Sequence, residues 1–129
     1  MSRPHSNDSR QRKVSVVRVY ADDQGSGYRV LVDRLWPRGV SKDRLPLDEW
    51  AKDVAPSAEL RRWYGHEPSQ FDEFARRYRD ELGSPPAAEV AGRLSRIARD
   101  RNVVLLTATR DVERSGAQVL HDHLERRHR

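Results

Sequence analysis

The chain has 129 residues and no cysteine, which amounts to one domain and excludes disulfides, thiolate zinc sites and a cysteine nucleophile. Its net charge is +5, yet residues 1–13 carry Arg3, Arg10, Arg12 and Lys13 against Asp8, and residues 125–129 carry three arginines against Glu125. The stretch between is balanced, which argues against a basic face on the folded body and leaves nucleic-acid contact to the two ends.

Residues 1–13 are polar and aperiodic, so they read as a disordered basic tail rather than a secretory leader, with residues 14–129 as one domain. No apolar run approaches the roughly 18–20 residues of a membrane span, so the expectation is a cytoplasmic protein with no membrane partner. Val14–Tyr20 is β-branched and aromatic and predicts a strand. A turn over Asp22–Gly27 follows, then a second strand over Tyr28–Asp33 whose Val30-Leu31-Val32 run does not alternate, as expected for burial on both faces.

Trp36-Pro37-Arg38-Gly39 ends that strand, since Pro37 lacks a ladder donor and Gly39 permits a positive φ. Pro46 suits the first turn of a helix placing Leu47, Trp50, Ala51 and Val54 on one side. Pro56 stops it, and Ser57 is placed to cap a short helix bearing Leu60, Trp63 and Tyr64. Ser69 to Asp72 resembles a capping box ahead of a helix with Phe71, Phe74, Ala75, Tyr78 and Leu82 on one stripe. After Gly83–Pro86, Ala87, Val90, Ala91, Leu94, Ile97 and Ala98 follow helical spacing. Val103–Ala108 predicts a third, fully apolar strand, and Asp111 is placed to cap a last helix with Leu120 and Leu124 inward. Strands separated by helices favour parallel pairing. The expected fold is therefore a single-domain α/β layered sandwich, with a mostly parallel sheet of about three strands and about five helices.

In open α/β sheets ligands bind outside the carboxyl ends of the strands. Each predicted strand here ends in polar residues: Asp22-Asp23, Asp33-Arg34 and Thr109-Arg110-Asp111. Arg34 and Arg38 flank an aromatic residue on one loop and suit a carboxylate or phosphate, which guanidinium recognises bidentately. Asp33 is either a general base or the group that holds an arginine in place. His66, on a loop between helices, is either an acid/base group or a carbonyl partner. Ser57, with Arg61 at a helix start, reads as an anion-friendly element or as an ordinary cap, and Lys52 as a neighbour or a surface charge. His121-Asp122-His123 points to different helix faces and implies no metal site. No Walker A loop, GxGxxG, GxSxG or HExxH is present, so no cofactor is implied.

The run from Tyr28 to Lys42, YRVLVDRLWPRGVSK, closely resembles the hallmark of the YeaO-like branch of the DUF488 proteins. The likeness continues through Trp50-Ala51-Lys52, Ala55-Pro56-Ser57, Leu60-Arg61, His66, Phe74 to Tyr78 and Glu81-Leu82, across most of residues 16–124. The resemblance implies a small bacterial or archaeal α/β protein and assigns no reaction. By match to the motif it carries over Asp33 and His66 as catalytic candidates. Arg34, Trp36, Arg38, Lys42, Lys52, Ser57, Arg61, Tyr78 and Glu81 carry over as ligand-binding candidates. The third strand departs from the pattern: relatives read AKD, then an Asn and a small residue, where this chain has Thr109-Arg110-Asp111 and then Ser115-Gly116-Ala117. The missing amide is either dispensable or marks a changed activity. The leading expectation is binding of a small anionic ligand at the strand C-terminal edge, with acid/base chemistry left open. The alternative is a nucleic-acid-binding or regulatory module using the basic tails, and a third reading is a protein-interaction scaffold.

Overall fold

The computed structural model describes residues 13–23 and 25–128. Four parallel strands, β1 (Val14–Arg18), β2 (Tyr28–Leu31), β3 (Glu49–Trp50) and β4 (Val103–Thr107), form one sheet in the order β1-β4-β2-β3. The helices are α1 (Ala58–Tyr64), α2 (Phe71–Leu82), α3 (Ala87–Ala98) and α4 (Gly116–His128). The expected tail lies outside the described residues except for Lys13. Its amide donates to Asn102 Oδ1 and its carbonyl accepts from Val103.

β4 is buried at all five positions because it is central and covered on both faces. Val103 and Leu105 join Val30 and Val32 in the larger cluster, packed by residues of all four helices. Val104 and Leu106 point the other way, toward Leu31, Leu45 and the ring of Trp36. All four helices therefore contribute to one core on one face, while the irregular segment between β2 and β3 helps to close the other. The apolar run read from sequence is explained by this two-sided cover, as strand pleating requires.

Three local expectations are corrected. The stretch after Pro46 is not a helix: Glu49–Trp50 pairs with Val30 and Leu31 as β3, and Lys52–Val54 is a single 3₁₀ turn. The spacing of Leu47, Trp50 and Val54 mimicked a helical stripe, but Asp48 N–H donates to the Arg29 carbonyl and Ala51 N–H to that of Leu31, which commits the backbone to the sheet. Among the described residues the strands thus number four and the α-helices four, consistent with the expected α/β layered sandwich of about three strands and about five helices. The capping box at Ser69 is also absent, because Pro68–Gln70 forms a 3₁₀ turn and Ser69 Oγ donates to Glu67. Finally, Asp111 pairs with Arg114, and it is Ser115 Oγ that accepts from Gln118 N–H at the start of α4.

No helix among the described residues is long and apolar enough to cross a membrane.

Candidate functional site

Parallel pairing puts the carboxyl ends of β1, β2, β3 and β4 on one edge. A cavity of about 440 Å³ lies there, between the loop after β2, the start of α4 and the loop after α1. Asp33, two residues beyond β2, is fixed within it. Its carboxylate accepts from Thr107 Oγ1 at 2.7 Å and from the Ala108 N–H at 2.8 Å, and its carbonyl accepts from Trp50 Nε1 at 2.8 Å. β2 and β4 are adjacent, so the end of one strand offers donors to the residue that leaves the other.

Burial pushes the Asp33 carboxyl above the ordinary range; the hydrogen bonds from Ala108 and Thr107 and the positive field of Arg61 oppose this and do not cancel it. A carboxyl raised in the native state holds its proton more tightly folded than unfolded. Its contribution to stability is complete below the unfolded value near ~3.9 and is lost as pH rises through the native value. Asp33→Asn keeps an acceptor for Ala108 and removes the charge, so the wild-type stability relative to this variant should fall with pH across that window. Urea unfolding of both proteins between pH 3 and pH 8 measures the difference; a constant gap would show that the carboxylate is not desolvated.

Around Asp33 the walls carry Arg34, Arg38, Arg61 and Arg62, four guanidiniums against one carboxylate among the lining residues. Arg34 is tethered, with Nη2 3.2 Å from the Pro56 carbonyl and 3.5 Å from that of Ala55. Arg38, Arg61 and Arg62 are exposed, and their guanidiniums make no hydrogen bond or ion pair within the described residues. His66 also lines the cavity and adopts φ 57°, a left-handed conformation that a non-glycine residue holds only when its surroundings impose it. Tyr64, stacked on Phe74 at 4.2 Å, and Trp36 supply aromatic wall.

The structure brings Asp33, Arg34, Trp36, Arg38, Arg61 and His66 together at this cavity. Trp36 is pinned by its Nε1 donating to the Val40 carbonyl at 2.6 Å and by an edge-on contact with Trp50. Gly39 takes the positive φ expected of it, 77°. The other candidates lie elsewhere. Lys42 is exposed on the 3₁₀ turn Lys42–Arg44. Lys52 sits over the Trp50 ring, its Nζ 4.2 Å from the centroid. Ser57 caps α1, accepting from Leu60 N–H, and donates through Oγ and N–H to the two Glu81 oxygens at 2.7 and 2.9 Å. Ser57 and Glu81 thus clamp the start of α1 to the end of α2. Tyr78 is in the core, its hydroxyl donating to the Val54 carbonyl.

Sequence reasoning did not single out Tyr20, Leu35, Arg62 or Thr107, all of which are at or beside the cavity. Thr109 of the third polar cluster lines it; Asp22, Asp23, Arg110 and Asp111 do not. Thr107 was legible only as the polar end of an apolar strand, and nothing local distinguishes it from a solvated strand end.

A family model described as "Inactive DUF488-N3 subclade" matches residues 13–129. The chain is 51% identical over 113 residues to "Uncharacterized protein Rv3073c" of Mycobacterium tuberculosis H37Rv, a match covering 86% of this chain and 92% of that protein. It is 41% identical over 108 residues to "Uncharacterized protein YeaO" of Escherichia coli K12, covering 83% and 92%. No solved structure matches it. The match to the family model over nearly the whole described fold, with the YeaO likeness beside it, establishes that the chain belongs to the DUF488 family, in its YeaO-like branch.

Proposed function

We propose that this protein binds a small phosphate- or carboxylate-bearing ligand in the strand-end cavity and holds it without transforming it. The observation that carries this reading is the set of guanidiniums of Arg38, Arg61 and Arg62, which make no hydrogen bond or ion pair among the described residues, around one cavity whose described lining holds Asp33 as its only carboxylate. Exposed arginines beside a concave, partly aromatic wall are suited to carboxylates and phosphates, which the guanidinium fork matches bidentately. The absence of turnover is supported by two points. Asp33 spends both carboxylate oxygens on protein donors, which suits a positioning role more than a base facing the ligand. The subclade whose model matches is also described as inactive.

Thermal unfolding of wild type, Arg38→Ala and Arg61→Ala with phosphorylated and carboxylate metabolites tests the reading. A ligand present at about 100 times its Kd should stabilise wild type by roughly 2.7 kcal/mol. Either substitution should remove most of that gain while leaving the unliganded melting temperature nearly unchanged, because both side chains are exposed. A response confined to oligonucleotides and abolished by removing residues 1–13 would assign binding to the tail and overturn the proposal.

A further inference from the structure

Tyr20, Leu35 and Trp63 are the large hydrophobic side chains exposed among the described residues, at 44%, 64% and 37%. Tyr20 and Leu35 line the same cavity as Arg38 and Arg61. Isolated exposed hydrophobics need no explanation, but two at one cavity beside exposed guanidiniums form a composite surface.

Tyr20 is held in place. Its hydroxyl donates to the Arg38 carbonyl at 2.9 Å, and the Arg18 guanidinium lies 4.7 Å from its ring centroid. The ring is thereby fixed relative to a residue whose guanidinium makes no bond among the described residues, across 18 positions of sequence. A rigid aromatic that loses little rotamer freedom on binding is a favourable platform for a planar group. The cavity, about 440 Å³, lies within the usual range for small-molecule sites and far exceeds what a bare phosphate or acetate fills.

We propose that the ligand is an anion carrying a planar ring, with the ring against Tyr20 and Leu35 and the anionic group at Arg38 and Arg61. This rests on the anion-binding reading above and adds the chemistry of what the anion is attached to. A nucleoside monophosphate and a simple aryl phosphate share that chemistry.

The test is isothermal titration of the full chain with inorganic phosphate, ribose 5-phosphate, phenyl phosphate and adenosine 5′-monophosphate. At least one ring-bearing probe should bind roughly tenfold to hundredfold more tightly than ribose 5-phosphate, the scale of a stacked ring. Preference for the nucleotide over phenyl phosphate, or the reverse, separates the two sources. Tyr20→Ala should abolish the ring's advantage over ribose 5-phosphate, whereas Tyr20→Phe, which keeps the ring and loses the bond to Arg38, should retain part of it. Leu35→Ser, at a still more exposed position, should reduce the advantage without loss of fold. Equal affinities for ring-bearing and ring-free phosphates, or an advantage that survives Tyr20→Ala, would overturn the proposal while leaving anion binding intact. Failure of all four probes would sink both.

Discussion

Gly27→Ala is expected to destabilise the protein by roughly 2–5 kcal/mol, combining a forbidden backbone conformation with overpacking. Gly27 has φ 141°, where L side chains rarely sit, and a Cβ there would lie 2.5 Å from the Asn102 carbonyl oxygen. That oxygen is not free to retreat, because it accepts the Tyr28 N–H at 2.8 Å and so opens the β2–β4 ladder. The register of that ladder is what brings Asp33 to Thr107 and Ala108, so the damage should reach the cavity. Urea unfolding measures the stability, and hydrogen exchange at Ala108 reports the site. A loss below about 1 kcal/mol would show that the turn before β2 relocates freely.

The second large effect is expected at Tyr78. Tyr78→Ala should cost about 3–5 kcal/mol, the range for deleting a buried aromatic, or a melting temperature lower by on the order of 10–20 °C. Tyr78 is 1% exposed and its ring lies 5.9 Å from that of Phe74. Burial pushes its phenol far above the ordinary range, so it remains a donor to the Val54 carbonyl at any working pH. Tyr78→Phe keeps the packing and leaves that carbonyl without its partner, at a cost of about 1–3 kcal/mol. The two variants separate packing from the hydrogen bond in one denaturation series. Val54 immediately precedes the Ala55 and Pro56 carbonyls that tether Arg34, so Tyr78 supports the cavity wall from behind. If Tyr78→Phe proves as damaging as Tyr78→Ala, the hydroxyl rather than the ring holds this corner.

The elements whose own periodicity identifies them were legible in the sequence. The strands β1, β2 and β4, the stripe of α2, the spacing of α3 and the Ser57 cap were legible, because pleat and helical repeat are local properties of the chain. Asp33, Arg34 and Arg38 were likewise legible as candidates, since polar residues following apolar strands collect at one edge of a parallel sheet, and Arg61 and His66 were legible from a helix start and an inter-helix loop. What local pattern could not reveal was pairing at a distance. β3 is two residues long and has no period to display; it exists because β2 offers it Val30 and Leu31. Glu81 resembles a site residue until Ser57, 24 positions away, takes both of its oxygens. Lys52 resembles a ligand group until the Trp50 ring lies beneath it. Thr107 resembles an ordinary strand end until Asp33, 74 positions away, accepts its hydroxyl. Composition, periodicity and motif determined which residues are able to do chemistry. Only the tertiary structure decided which of them still have hydrogen-bonding capacity to offer a ligand, because a polar group's partners are chosen by the fold and not by its neighbours in the chain.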